Sequence, residues 1–222
     1  MALPCVGMAM EAVLIKHLKK IQAEPSVKPK GISEDIDRLL VVLNETVETN
    51  AKTGQSPRYK NADSHFAILH DICESKHPRM VELTLSCIHV LIERGYLQGK
   101  SSIAGDGMLL EARGEVKESD GEQGVHDQDQ LKRDGTPPRL LIDHIIETVC
   151  RCSEINDDNV HLQAIKVLLT ATTSSHCEVH EATLLLAIQV CFHIHLVSKN
   201  PVNKITAKAA LTQMVSNTVA SM

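Results

Sequence analysis

The feature that most constrains this chain is the spacing of its aliphatic residues, which recur every three or four positions. Two adjacent apolar rows follow Leu140: Leu141, Ile145 and Val149, then Ile142, Ile146 and Cys150. The polar residues Asp143, Glu147 and Arg151 lie on the opposite side. This spacing predicts an amphipathic helix, and no segment has the alternation typical of a strand. Aromatic residues make up only 2% of the chain, which argues against an all-β fold. We therefore predict an all-α protein.

A repeat organises the helices into pairs. Three times, an apolar helix is followed by a short link and a second helix, which opens at Pro78, Asp158 or Pro201. The first interval is longer because it contains an insert; without the insert the two intervals are about equal, at roughly 40 residues. Two helices per unit of this length predict an α-solenoid of armadillo or HEAT type. An irregular helical bundle is the alternative.

The repeat divides the chain into four parts. Residues 1–61 carry N-terminal helices and linkers, residues 62–98 the first full helical pair, and residues 139–220 the remaining repeats. Residues 99–138 form the insert: between Asp106 and Asp129 there are eight acidic and two basic residues. This composition predicts disorder. Ser33 is a candidate N-cap for a helix beginning at Ile32. The segment 182–197 is apolar on nearly all sides, which predicts that neighbouring helices sandwich it.

Charge and cysteine content restrict the possible functions. The net charge of −5 argues against a nucleic-acid binder. The seven cysteines include no CxxC pair, which is typical of reduced thiols in a cytosolic protein. No nucleophile or phosphate-binding motif is present, so we predict neither catalysis nor a cofactor. The alternative is a zinc- or thiol-dependent enzyme. Its candidate residues are the densest group of ligand-type side chains: His176, Cys177, His180, Cys191, His193 and His195.

Three stretches carry a resemblance to a known family. They are LQAIKVLLTATTSSHCEVHEATLLLAIQVCFHIHLVSKNPVNKITAKAALTQMV, LIDHIIETVCRC and ESKHPRMVELTLSCIHVLIERGYLQG. Together they resemble the N-terminal dimerisation and cyclophilin-binding domain of the large, brefeldin A-inhibited Arf guanine-nucleotide exchange factors of the trans-Golgi. The resemblance covers residues 62–219 apart from the insert. Its most specific parts are residues 179–181, 198–200 and 206–214.

The resemblance implies a regulatory domain without exchange activity of its own. Such domains self-associate, contact the neighbouring homology region upstream of the catalytic domain, and bind an Arf-like small GTPase in its GTP form. It therefore implies a cytoplasmic protein at the periphery of the trans-Golgi network, attached to the membrane only indirectly. Val90 stands where the family leads us to expect a basic residue. His193 and His195 stand where we expect an aromatic or small polar residue.

Eight residues are our candidates for partner binding, because they lie at helix starts or on polar stripes of successive repeats. They are Arg79, Val90, Asp158, His161, Lys166, Lys199, Asn203 and Lys208. The repeat would place them along one side of the molecule, as in solenoids that bind partners on an extended surface.

Overall fold

The computed structural model describes residues 9–25, 30–53, 61–103 and 139–220. Within these residues the chain forms eight α-helices and no strand, which confirms the predicted all-α class. A short 3₁₀ helix, Ala62–His65, precedes the third α-helix. The α-helices are α1 (Met10–Gln22), α2 (Lys30–Thr53), α3 (Phe66–Glu74), α4 (Pro78–Glu93), α5 (Leu141–Cys152), α6 (Asp158–Thr173), α7 (Glu181–Val197) and α8 (Pro201–Ala220).

The helices pack in two layers. In one layer α4 lies between α1 and α6, and α6 in turn contacts α8. In the other layer α2, α3, α5 and α7 follow each other in the same order. Consecutive helices also pack as pairs across the layers: α1 with α2, α3 with α4, α5 with α6, and α7 with α8. As a result α2 lies at one end of the stack and the α7–α8 pair at the other.

The second helix of each later pair begins at a strong local start signal. Pro78 occupies the first turn of α4, where its missing N–H costs nothing. The Asp157 carboxylate caps α6 by accepting hydrogen bonds from the N–H groups of Asn159 and Val160, at 2.9 and 3.0 Å. Asn200 Oδ1 accepts from the Val202 N–H at 2.9 Å and so caps α8. These three starts agree with the openings predicted from the sequence.

The predicted start of α2 is wrong. The helix begins at Lys30, so Ser33 lies inside it rather than at its N-cap. A serine also occurs inside the first turn of a helix, so its presence does not fix the N-cap position. Helix ends can therefore be predicted from the sequence only to within a few residues. Helix α1 is one of the N-terminal helices predicted within residues 1–61.

A tight turn carries the chain out of α4 toward α5. Gly95 and Gly99 both have positive φ, at 70° and 65°, which an L side chain rarely adopts. The buried Asp63 carboxylate accepts hydrogen bonds from the N–H groups of Gln98 and Gly99, at 3.1 and 3.0 Å, and from the Ser101 hydroxyl at 3.2 Å. A Cβ on Gly99 would lie 2.5 Å from the backbone nitrogen of Ile142, so only glycine fits there.

The two sides of the predicted insert are joined where they leave the helical stack. The Ile103 N–H donates to the Arg139 carbonyl at 3.0 Å, and the Leu141 N–H donates to the Ser101 carbonyl at 2.9 Å. We call this contact between residues 101–103 and 139–141 the neck. Ile103 is buried in the core. Residues 104–138, most of the segment predicted to be disordered, lie outside the described residues.

Two expectations about burial are not met. The six apolar residues predicted to face the core from α5 are all buried, but Asp143, expected on the polar side, is buried as well. In α7, Leu185, Phe192 and Leu196 are exposed, so the helix is not sandwiched as predicted. The reason is position: α7 ends its layer, with α5, α6 and α8 on its inner side. Among the described residues no helix covers its outer side.

Candidate partner-binding site

A cavity of about 710 Å³ opens where α6 and α8 begin. It lies between the link from α5 to α6 and the link from α7 to α8. Three of the eight candidate residues, Asp158, His161 and Lys199, line it. A fourth, Asn203, is bonded to Asp158. The helical repeat therefore brings together half of the residues that the sequence proposed for partner binding.

Hydrogen bonds within the chain fix the lining of this cavity. The His161 Nε2–H donates to the Ser153 carbonyl at 3.0 Å, because a carbonyl can only accept. The opposite ring nitrogen, His161 Nδ1, is buried and has no hydrogen-bond partner among the described residues. Asn203 Nδ2 donates to the Asp158 backbone carbonyl at 2.9 Å. These two hydrogen bonds fix the position of the α5–α6 link and of the start of α8 relative to α6.

The cavity lining is predominantly acidic. Glu154, Asp157 and Asp158 contribute carboxylates, and Lys199 is the single lysine or arginine among the lining residues. One oxygen of Asp157 is already used to cap α6. Glu154 and Lys199 are exposed and can reach a bound molecule. A partner segment that carries basic or hydrogen-bond-donating groups fits this lining best.

The remaining candidate residues do not join the cavity. Arg79 is exposed near the start of α4 and forms ion pairs with Glu82 at 2.7 Å and Glu24 at 3.4 Å. Val90 is half-buried and packs against the core from α4. Lys208 is exposed on α8. These three residues are separated along the stack rather than gathered at one point.

Lys166 and Val90 lie on neighbouring helices of the same layer. The residue next to Val90, His89, has a lowered pKa, mainly because the ring is half-buried and in smaller part because of the Lys166 charge; Glu93 opposes the shift. Lys166 on α6 is therefore near enough to His89 on α4 for its charge to act on that ring.

Asn203 does not have the exposure expected of a surface contact. Only 1% of the residue is accessible, and its amide joins α8 to the start of α6. Asp158 is exposed, but its backbone carbonyl accepts the Asn203 hydrogen bond. The pair holds the cavity wall in place. The residues that remain accessible around it are Asp158, Lys199 and the partly exposed His161.

The histidines proposed as zinc ligands point to different partners. The His176 ring lies over Gly95, and His180 Nδ1 is 2.5 Å from Asp143 Oδ2. His195 Nδ1 contacts the Lys204 carbonyl at 2.9 Å, whereas His193 lines the cavity. Residues 174–180 are not helical, so His176 and His180 do not share a helix face. Among the described residues, no three His, Cys, Asp or Glu are placed to hold a metal ion.

Four buried cysteine thiols are held in their protonated form. Burial raises the pKa of Cys87, Cys150 and Cys191 to about 12. A hydrogen bond with the Cys152 thiol, together with burial, raises the pKa of Cys73 well above its usual value. The thiolate is the nucleophilic form, and these environments oppose its formation. This chemistry disfavours the thiol-dependent alternative.

Sequence reasoning missed two features. The buried Asp143 carboxylate binds His180, which joins α5 to the start of α7. The apolar residues on the outer side of α7 are accessible, although the apolar character of this helix on nearly all sides predicts that they are buried.

Within the described part of the chain, no helix has the length and apolar character that crossing a bilayer requires.

Comparisons with known proteins assign this all-helical domain to a family. The family described as "Mon2/Sec7/BIG1-like, dimerisation and cyclophilin-binding domain" matches residues 7–221. The chain therefore belongs to this family, as the resemblance in the sequence indicated.

Several relatives extend over much longer chains. The mouse brefeldin A-inhibited guanine nucleotide-exchange protein 1 is 36% identical over 94% of this chain, which covers 11% of that protein. The Arabidopsis thaliana brefeldin A-inhibited guanine nucleotide-exchange protein 2 is 32% identical over 91% of this chain and 9% of its own length. The Saccharomyces cerevisiae exchange factor SEC7 is 32% identical over 79% of this chain and 8% of its own length. The chain thus spans about a tenth of the length of these relatives.

Proposed function

We propose that this chain is the N-terminal regulatory domain of a large Arf guanine-nucleotide exchange factor and that it binds other proteins without catalysing exchange. The observation that carries the proposal is the family match over residues 7–221. The relatives are named as exchange factors, and the matched region is about a tenth of their length. Within the part of the chain that the structure describes, four thiols are held protonated and the histidines proposed as zinc ligands are dispersed, which supports a binding role.

The proposed architecture is an armadillo-like solenoid. Its support is the order of packing, in which α4, α6 and α8 form one layer while α3, α5 and α7 form the other. In such a fold each helical pair contacts mainly its neighbours, and the binding surface extends over several pairs. We propose that the relevant surface includes the cavity at Asp158, His161 and Lys199 and continues to Lys166 and Val90.

The proposed partners are a second copy or a neighbouring domain of the same full-length protein, and an Arf-like small GTPase in its GTP form. The family description names dimerisation, which supports self-association. A GTPase that binds only in its GTP form would explain how the chain is recruited to the Golgi membrane, because the switch regions of small GTPases change conformation between the GDP and GTP states. The chain would then act at the cytoplasmic side of the trans-Golgi network through a membrane-bound partner.

A nucleotide-dependent binding assay tests the GTPase proposal. The immobilised chain should retain a Golgi-type Arf-like GTPase loaded with a non-hydrolysable GTP analogue and release the GDP-loaded form. Equal retention of both forms would contradict the proposal.

Variants then locate the surface. Lys166→Glu combined with Lys208→Glu should reduce retention of the GTP form, because reversed charges oppose a complementary surface. Lys19→Glu combined with Lys20→Glu on α1 is the matched control, since it makes the same charge change at exposed sites away from α6 and α8. Loss of binding in both variants would indicate a general charge effect rather than this surface.

A further inference from the structure

The ends of α3 and α5 lie side by side in the same layer. His70 Nδ1 is 3.1 Å from the Thr148 hydroxyl, and about one turn further along both helices Arg151 forms an ion pair with Glu74 at 3.0 Å. Both contacts join α3 to α5, and the residue numbers increase together from the first contact to the second. The two helices therefore run in the same direction, and their last turns lie at matching heights.

Two cysteines occupy these last turns. Cys73 precedes Glu74 on α3, and Cys152 follows Arg151 at the end of α5. Each cysteine is only 3% accessible, and both thiols are free. The two cysteines also line one cavity of about 340 Å³. Their matching heights and their shared cavity place the thiols of the two helices next to each other.

The pKa of Cys73 reflects the same contact. A hydrogen bond with Cys152 is the largest cause of its raised pKa, ahead of burial. By contrast, burial alone raises the pKa of Cys87. At Cys150 burial is the largest cause, and the neighbouring Cys191 contributes through its charge rather than through a hydrogen bond. A direct contact between two thiols therefore distinguishes Cys73 and Cys152 from these other cysteines.

The cavity gives small molecules access to both sulfurs. The side chains of Glu74 and Arg151, which line it, are 42% and 47% accessible, so the cavity is open to solvent on this side. Its remaining lining residues are Lys76, Glu154 and Ile155. Because a water molecule occupies only about 30 Å³, a reagent of the size of hydrogen peroxide fits this cavity easily.

We propose that Cys73 and Cys152 form a redox modification site, at which a hydroperoxide joins the two thiols in a disulfide between α3 and α5. The site is independent of the partners proposed above. The raised pKa of Cys73 opposes formation of the thiolate, which is the reacting form. We therefore expect the oxidation to be slow and to require an excess of peroxide.

The reaction is balanced in two steps. One sulfur attacks hydrogen peroxide as its thiolate: an S–O bond forms, the O–O bond breaks, and the released hydroxide takes up the thiol proton and leaves as water. The second sulfur then attacks the resulting sulfenic acid: an S–S bond forms, the S–O bond breaks, and a second water leaves with the remaining thiol proton. In total the two sulfurs lose two electrons, which reduce one peroxide to two waters.

The disulfide ties together two helices that are distant in the sequence. The closed loop contains α4 and residues 104–138, and a cross-link over a long loop stabilises mainly by restricting the unfolded chain. We expect oxidation to raise the melting temperature by about 5–10 °C. Cys152 also directly precedes the link from α5 to α6, in which Ser153 and Glu154 line the candidate partner-binding cavity. Oxidation therefore anchors the beginning of that link.

Peptide mapping tests the site in the whole chain. The folded, reduced chain is treated with hydrogen peroxide, blocked with N-ethylmaleimide in urea and digested with trypsin. Trypsin places Cys73 in the peptide of residues 61–76. It places Cys152 in that of residues 152–166 and leaves Cys150 in a separate peptide. We expect the first two peptides to be joined, at a mass two hydrogens below their sum, and to separate after treatment with dithiothreitol.

Several results would overturn the proposal. Complete labelling of both cysteines by N-ethylmaleimide after peroxide treatment would show that the thiols do not react. Sulfinic or sulfonic acid at Cys73 or Cys152 without a cross-link would show that the second sulfur does not reach the first. A disulfide between other cysteines, such as Cys150 and Cys191, would assign the reaction elsewhere. A cross-link found only between two chains on a non-reducing gel would also exclude the contact within one chain.

Matched variants separate this pair from buried thiols in general. Cys73→Ala and Cys152→Ala should each lose the cross-link and the rise in melting temperature. Cys87→Ala removes a buried thiol of α4 and should retain both. Circular dichroism checks that the reduced variants are folded, and the peptide map of the wild-type chain decides the question if an alanine variant is not. A cross-linked wild type that melts like the reduced chain would contradict the tie between α3 and α5.

Discussion

Asn203 and Asp158 join the starts of two helices that are 45 residues apart in the sequence. The Asn203 amide lies almost fully buried beneath the cavity, and its Nδ2 donates to the backbone carbonyl of Asp158 at 2.9 Å and to the Asp158 carboxylate at 3.4 Å. Both helix starts also carry their own caps. The polar contact therefore sets where α8 lies against α6.

Replacing Asn203 should destabilise the chain. In Asn203→Ala the start of α8 loses its hydrogen bonds to α6, and we expect the free energy of unfolding to fall by about 1–2 kcal/mol. Urea denaturation followed by circular dichroism measures this change. Lys204→Ala is the neighbouring control and should remain within about 0.5 kcal/mol of wild type. Equal stability of the two variants would contradict a structural role for Asn203.

Two glycines should respond in opposite ways to alanine. Gly99→Ala forces a Cβ to 2.5 Å from the Ile142 nitrogen at a φ of 65°, so we expect a loss of at least about 2 kcal/mol. Gly31→Ala introduces a Cβ into open space within α2 and should stabilise the chain by about 0.5–1 kcal/mol. Chemical denaturation of both variants gives the comparison. A tolerated alanine at position 99 would show that the turn can move.

The neck should make the intervening segment dispensable for folding. Because Ile103 and Arg139 are already joined by a hydrogen bond of 3.0 Å, a short glycine- and asparagine-rich turn can replace residues 104–138. Loop length itself contributes little, about 0.6 kcal/mol for each doubling. We expect the shortened chain to keep its helicity and to melt within a few degrees of wild type. Cooperative unfolding lost on deletion would mean that the segment supports the core.

Acid should destabilise the chain through His144. Its ring packs against Phe66 and His70, with ring centroids 5.9 and 4.8 Å away, and burial together with the nearby His70 and arginine residues lowers its pKa to about 4. The unfolded chain, with an ordinary histidine pKa near 6.5, therefore binds the proton first. The free energy of unfolding should fall as pH decreases from about 6.5 to about 4 and then stop changing through this group.

A His144→Gln variant isolates this contribution. The difference in unfolding free energy between wild type and variant should shrink by about 1–2 kcal/mol across that pH interval, after allowance for solvent screening. Denaturation curves at several pH values measure the difference. Parallel pH profiles for the two proteins would show that another group causes the acid sensitivity.

The sequence predicts a feature well when one helix contains all the information. The rows on α5 are buried as expected, and the start of α4 at Pro78 follows from the geometry of proline alone. Burial of Asp143 could not be predicted in this way, because it depends on His180, which lies 37 residues away. The same limit applies to α7. Its sequence shows that the helix is apolar on nearly all sides, but it does not show which other helices pack against those sides.

The candidate site shows the same division. The repeat placed Asp158, His161 and Lys199 together because each lies at an equivalent helix boundary. It could not distinguish an exposed polar residue from one whose hydrogen bonds are satisfied inside the chain, and Asn203 is of the second kind.

The pairing of consecutive helices has a kinetic consequence. Contacts within a pair such as α3–α4 or α7–α8 close only short loops, because the link between the two helices is a few residues long. Local contacts of this kind form more rapidly than contacts between distant parts of a chain. We therefore expect each hairpin to form before α4 packs against α6, because that contact joins helices on either side of residues 104–138.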